Sequence, residues 1–127
     1  MMRKRILVVE DNEDNRRILL YRLRKIGDFD IVETSNGEEA VASVRASRPD
    51  LIFMDLKMPV MDGWEATQRI RAMDGGAAIR IVAVTAQARP GDEEKALAAG
   101  CDDYLTKPVV DPDLVRQKLE RLLGAAA

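Results

Sequence analysis

Ile6-Leu7-Val8-Val9-Glu10-Asp11-Asn12-Glu13-Asp14-Asn15 holds a short apolar run, two acids at its end and then a row of helix-capping side chains. An apolar run with no polar alternation suits a strand covered on both faces. Residues 12–15 offer N-cap candidates and negative charge for a helix start. Leu19, Leu23 and Ile26 follow at i, i+4 and i+7, with Gly27 as the stop. The segment therefore reads as strand, acidic turn, helix.

The same reading repeats outward along the chain. Residues 29–34 form a weaker second strand, with Ile31 and Val32 its strong formers. Asn36-Gly37 is a turn signal, and Ala40, Val41 and Val44 line the next helix. Pro49-Asp50 breaks that helix before a third strand, Leu51-Ile52-Phe53-Met54-Asp55. A helix over roughly 62–73 carries Trp64, Thr67 and Ile70 at spacing three, and Gly75-Gly76 loops to a fourth strand at 81–85. Pro90-Gly91-Asp92 opens an alanine-rich helix ending at Gly100. Asp103-Tyr104-Leu105-Thr106 is a short fifth strand stopped by Pro108, and a last helix starts near Asp111 with Leu114/Val115, Lys118/Leu119 and Leu122 on one face. Alternating strands and helices predict an α/β fold: a parallel sheet with right-handed crossovers and helices on both faces. Five such units use up residues 1–127 as one domain, with no linker or low-complexity tract.

Composition narrows the chemistry. The 127 residues include no histidine and a single cysteine, Cys101. That removes the commonest general base, the commonest zinc ligand, an internal disulfide and any multi-cysteine cluster. Lys plus Arg total 20 and Asp plus Glu 22, for a net charge of −2, which gives no global reason to bind nucleic acid. No stretch approaches the ~20 apolar residues of a membrane span, and the run after the basic start is too short for a signal peptide. The expectation is a cytoplasmic protein that touches neither nucleic acid nor membrane.

Parallel α/β sheets place their sites at the carboxyl ends of the strands. Those ends carry Glu10 and Asp11, Asp55, Thr85 and Lys107. Clustered carboxylates raise one another's pKa unless a cation neutralises them. An all-oxygen donor set without His or Cys favours magnesium, with manganese as a substitute, and disfavours zinc. Asp11 and Asp55 are the expected direct ligands, with Glu10 acting through water and a backbone carbonyl after Asp55 completing the set. A carboxylate beside such an ion can attack phosphorus to form an acyl phosphate, and the nucleophile expected here is Asp55, on the middle strand. The Thr85 hydroxyl and Lys107 ammonium would then bind phosphoryl oxygens.

These residues resemble the receiver domain of two-component response regulators, the chemotaxis-receiver family. The matching segments are 7–12 (LVVEDN), 54–59 (MDLKMP) with Asp62-Gly63, 84–86 (VTA) and 104–108 (YLTKP), in the family's order. The resemblance implies a single doubly wound (βα)5 sheet with the flavodoxin-like strand order 2-1-3-4-5. It implies that Asp55 accepts a phosphoryl group from a phosphohistidine on a histidine kinase or histidine phosphotransfer protein. Glu10, Asp11, Asp55 and the Lys57 main-chain carbonyl would hold the metal, and Thr85, Ala86 and Lys107 the phosphoryl group. Thr85 and Tyr104 would be the switch pair, reshaping the surface of the fourth helix, fifth strand and fifth helix for a downstream protein. Lys57 and Gln87 would tune the phosphoryl lifetime. Glu10 stands where the chemotaxis type has aspartate. The implied protein is a signalling switch rather than a turnover enzyme, a monomer or a weak phosphorylation-dependent dimer.

Three rivals fit less well. A phosphatase of the haloacid-dehalogenase type needs a second acid two residues after the nucleophile, where this chain has Lys57. A flavin or nucleotide binder needs a Gly/Ser/Thr-rich loop after the first strand, where this chain has Glu10-Asp11-Asn12-Glu13-Asp14. A phosphorylation-independent module typically loses an acid or the lysine, and all are kept. Blander roles are expected elsewhere. Arg16, Arg17, Arg22, Arg24 and Lys25 read as a solvated helix face, with docking to an acidic partner second. Trp64 reads as packing, Cys101 as a small semi-buried residue and Asp102-Asp103 as a solvated loop. Met1 and the loose 125–127 tail read as a complete freestanding protein without an output domain, with a receiver cut from a hybrid kinase as the alternative.

Overall fold

The structure, a computed structural model, describes residues 3–58, 60–86, 89–107 and 111–124. Strands β1 (Arg5–Val9), β2 (Asp30–Thr34), β3 (Leu51–Asp55), β4 (Arg80–Thr85) and β5 (Asp103–Thr106) alternate with five helices. These are α1 (Glu13–Ile26), α2 (Gly37–Ala46), α3 (Gly63–Arg71), α4 (Asp92–Ala99) and α5 (Pro112–Leu123), with a 3₁₀ turn at Gly76–Ala78. The strands form one parallel sheet in the order 2-1-3-4-5. The weak signal of β2 follows from its edge position, where Val32 is 38% exposed while β3 is buried throughout.

Side chains of a strand alternate between faces, so the sheet builds two cores. Leu7, Val9, Ile52, Met54, Ile81 and Ala83 face Ala40, Val41 and Val44 of α2, Ala66 and Ile70 of α3, and Ala96 of α4. Ile6, Val8, Leu51, Phe53, Val82 and Leu105 face Leu19, Leu20 and Leu23 of α1 and Val115 and Leu119 of α5. Helix starts are capped by the residues the sequence offers: Asn12 accepts from the Asn15 N–H, Asp62 from Glu65 and Asp111 from Asp113.

Some sequence expectations change. At Asn36-Gly37 the chain turns from β2 into α2, and Asn36 is the N-cap of α2, accepting from the Glu39 N–H while Glu39 accepts from Ser35. Helix α3 ends at Arg71 rather than near 73, because the chain turns into the Gly76–Ala78 segment. Asp102-Asp103 is not a solvated loop. Asp102 Oδ2 accepts from Arg71 and from the Ile81 N–H, each at 2.8 Å. Arg71 also donates to the carbonyls of Gly100, Gly76 and Ile79. Asp103 pairs with Lys118 at 2.9 Å and with Arg121. Burial pushes the Asp103 carboxyl up, but its hydrogen bonds from Arg121 and Lys118 outweigh that and hold its pKa below the ordinary value. These acids pin the start of β5 to α3 and α5. Cys101 is buried rather than semi-buried, with Sγ 3.8 Å from Thr67 Oγ1, and burial raises its thiol pKa. The α1 cations are largely a solvated face: Arg17 pairs with Glu13, and Arg22 and Lys25 flank the exposed Tyr21 ring.

Candidate functional site

Every strand-end residue singled out above lies at the carboxyl edge of the sheet. Glu10 leaves β1 and is tied to the edge strand by its N–H to the Thr34 carbonyl, 3.1 Å. Asp55 ends β3 opposite Val84, and Thr85 ends β4 opposite Thr106. Lys107 follows β5 and donates its N–H to the Thr85 carbonyl. Glu10, Asp55 and Thr85 are buried, whereas Asp11 is exposed at the mouth.

One carboxylate oxygen from each of Glu10, Asp11 and Asp55 lies within 4.8 Å of the others. Lys107 Nζ sits 2.9 Å from Glu10 Oε1 and 3.1 Å from Asp55 Oδ2, with its side chain 8% exposed. Glu10 Oε2 also accepts from the Asn12 N–H, and Asp55 Oδ1 from the Lys57 N–H at 3.2 Å. Backbone N–H groups thus aim two of the three acids, while Lys57 itself points to solvent.

Burial raises the Asp55 pKa to about 8, helped by hydrogen bonds with Glu10 and Asp11 and by the Glu10 charge, with Lys107 only partly opposing. Asp11 goes the other way: burial pushes it up, but hydrogen bonding with Asp55 and Glu10 and the Lys107 charge bring it below its usual value. Burial also works against the Lys107 ammonium, yet Glu10 and Asp55 outweigh it and raise its pKa. Asp55 therefore holds a proton at neutral pH that a bound cation would displace. Its Oδ2 is buried and has no well-aligned hydrogen-bond partner among the described residues, despite the nearby ammonium. An all-oxygen set with one such orphan acceptor fits a hard divalent ion.

The response regulator receiver domain family matches residues 6–120. The chain belongs to that family.

As a receiver domain it is a component of two-component signalling. It is 37% identical over 125 residues to the polar-differentiation response regulator DivK of Brucella anthropi, covering 98% of this chain and 100% of DivK. It is 47% identical over 112 residues to hybrid signal transduction histidine kinase G of Dictyostelium discoideum, covering 87% of this receiver but 3% of the kinase. Its fold superposes on the receiver domain of sensor histidine kinase PA1611 from Pseudomonas aeruginosa with a TM-score of 0.88 at 39% identity, covering 98% and 100% of the two chains. That structure has a magnesium ion coordinated in its active site cleft. A TM-score of 0.85 at 37% identity, over 94% and 88% of the chains, relates it to a Saccharomyces cerevisiae co-crystal structure. That complex contains the histidine phosphotransfer signaling protein Ypd1 and the receiver domain of its downstream response regulator Ssk1.

Other expected residues of the receiver fall around this cluster. Ala86 follows Thr85 and is exposed. Tyr104 lies in β5 opposite Ala83 and packs on the α2–α4 core, its hydroxyl buried and unpaired among the described residues. Burial and the charges of Asp92 and Glu93 raise its pKa. Gln87 and Pro108 lie outside the described residues. Among the described residues no helix is long and apolar enough to cross a membrane.

Two contacts were not legible in the sequence. Glu10 is the main partner of Lys107, a pairing across 97 positions. Arg16 donates to the Glu10 carbonyl at 2.8 Å while pairing with Glu33, so one member of the basic α1 face holds the acidic turn in place. The only hint of the second was the crowding of cations near the helix start.

Proposed function

We propose that the chain is a phosphorylation-dependent switch in which Asp55 accepts a phosphoryl group from a phosphohistidine on a histidine kinase or histidine phosphotransfer protein. The observation that carries this reading is the meeting of Glu10, Asp11 and Asp55 within 4.8 Å beside Lys107. The magnesium ion of the PA1611 receiver and the phosphotransfer complex of the Ssk1 receiver support it by similarity. Histidine is missing from residues 1–127, so the donor histidine lies outside them.

Glu10, Asp11, Asp55 and the Lys57 carbonyl are the groups that would hold magnesium or manganese. When bound there, such an ion would supply positive charge against the phosphoryl oxygens and the acid cluster. One Asp55 carboxylate oxygen forms the new bond to phosphorus as the bond from phosphorus to the donor imidazole nitrogen breaks, and the imidazole keeps that electron pair. The Lys107 ammonium, already 3.1 Å from Asp55, stabilises the charge on the transferred group. Thr85 and the Ala86 N–H contact the same oxygens, and Lys57 and Gln87 govern access of hydrolytic water. Thr85 and Tyr104 carry the change to α4, β5 and α5, the docking surface for the downstream protein. The chain is on this reading one domain without turnover chemistry, acting as a monomer or a weak dimer formed on phosphorylation.

Acetyl phosphate with Mg2+ should add the mass of one phosphoryl group to the wild type and none to Asp55→Asn. Equal labelling of Asp55→Asn would remove Asp55 as the acceptor.

A further inference from the structure

Helix α4 buries the fewest residues of the five. Ala96 alone of its eight residues is buried, and its N-cap, Gly91, has no side chain with which to cap. Its first turn carries Asp92, Glu93 and Glu94, and its Leu97 is 45% exposed. Acids suit a helix start. The neighbouring α3 is fixed at both ends. The Gly63 N–H donates to the Leu56 carbonyl at 3.0 Å, next to Asp55, and Arg71 bonds across to Gly100 and Asp102.

Trp64 stands one residue after Gly63 and packs against the α2–α4 core. Lys95 of α4 places its ammonium 4.1 Å from the centre of the Trp64 ring, within the range of a cation–π contact. A contact of modest strength is a large share of the anchoring of a helix with one buried residue. We propose that Lys95 on Trp64 is a positioning clamp: it holds α4 in the unphosphorylated arrangement, and so sets how readily Asp55 is phosphorylated. This rests on the reading of Asp55 as phosphoacceptor. The line of contacts runs from the end of β3 through the start of α3 and Trp64 to Lys95, so the acceptor strand and the α4 surface share one rigid link. A switch poised between two arrangements shifts only by the difference in contact energy between them, so the clamp acts to the extent that the second arrangement breaks it.

The test compares wild type, Lys95→Met, Lys95→Arg, Trp64→Leu and the Lys95→Met/Trp64→Leu double variant. Amide exchange of α4 is read first, in the unphosphorylated protein. Lys95→Met should speed it about two- to fivefold, the factor corresponding to a cation–π contact at an exposed site. Lys95→Arg should restore the wild-type rate, since guanidinium stacks on the same face. In the Trp64→Leu background Lys95→Met should have no further effect. The rate of Asp55 labelling by acetyl phosphate and Mg2+ should rise in Lys95→Met by the same factor. Unchanged exchange in Lys95→Met, or an equal acceleration without the ring, overturns the clamp. Faster exchange with unchanged labelling overturns its link to phosphorylation. Wild type that takes no label at Asp55 sinks the phosphoacceptor reading and that link with it, while the exchange cycle still decides the clamp.

Discussion

Asp55 is 1% exposed and lies between two other carboxylates and one ammonium, and its pKa of about 8 has a consequence for stability. Between the ordinary 3.8 and about 8 the folded chain keeps a proton on Asp55 that the unfolded chain has released. The native state binds more protons, so stability falls as pH rises through that window, by about 1 kcal/mol per pH unit from this group. Asp11 and Asp103, whose pKa values are lowered, titrate below it. Thermal melts from pH 4 to 9 without divalent metal should show this decline in wild type and a flatter profile in Asp55→Asn. Millimolar Mg2+ should flatten the wild-type profile and raise its Tm most at high pH, because the bound form needs Asp55 ionised. Val60, four residues beyond the loop's start at Leu56, poses a separate cost. It is a β-branched residue at φ 70° and 77% exposed, so nothing packs in return for the strain. Val60→Asn should raise stability by about 1 kcal/mol in urea unfolding, Asn being tolerant of the left-handed region. Acids at strand ends are legible one residue at a time. The charge state of Asp55 is not, because it depends on Glu10 and Lys107, which the fold brings from 45 residues before it and 52 after it.

At the scale of elements, the β3–α3 connection decides where Asp55 points. A Cβ at Gly63 would lie 2.1 Å from the Asp55 carbonyl oxygen and 2.8 Å from Leu56 Cα, both backbone atoms that cannot yield. A Cβ at Gly37 would meet the Met61 carbonyl oxygen at 2.4 Å, so α2 closes on the same loop from the other side. Gly63→Ala should therefore destabilise the fold by about 3 kcal/mol and slow labelling of Asp55, read by urea unfolding and by intact mass with acetyl phosphate. If Gly63→Ala unfolds like wild type, the close approach is relieved by a shift of α3 and the loop is softer than its contacts imply. Most elements were readable because central strands buried on both faces leave unbroken apolar runs such as residues 51–54. Edge strand β2 gave the faintest signal for the same reason. Asn36-Gly37 was legible as a turn but not as a cap, because the pair that makes a tight turn also makes an N-cap followed by a glycine that admits close packing.

Across the whole molecule, the two edges of the sheet divide the work. The carboxyl edge gathers Glu10, Asp11, Asp55 and Lys107, where burial of like charges costs stability. The amino edge near the starts of β4 and β5 gathers Arg71, Asp102 and the carbonyls of Gly76, Ile79 and Gly100, where nearly every polar group is matched. Sequence reading found the first edge because acids at strand ends stand out there. It missed the second because Arg71 and Asp102 lie 31 positions apart and neither follows a strand. The division makes opposite outcomes for two acid removals. Asp102→Ala leaves the Arg71 guanidinium, 19% exposed, and the Ile81 N–H without their carboxylate. Breaking a mostly buried pair from one side should cost about 3 kcal/mol. Because the site residues lie at the opposite edge, labelling of the folded Asp102→Ala protein by acetyl phosphate should match wild type. Asp55→Asn should do the reverse, raising Tm at pH 8 by several degrees, about what 1 kcal/mol or more confers on a domain this size, while abolishing the label. Urea unfolding and intact-mass labelling on both variants decide the matter. Slowed labelling in folded Asp102→Ala would mean that the amino edge reaches the site through β4 and β5, and that stability and chemistry share one network.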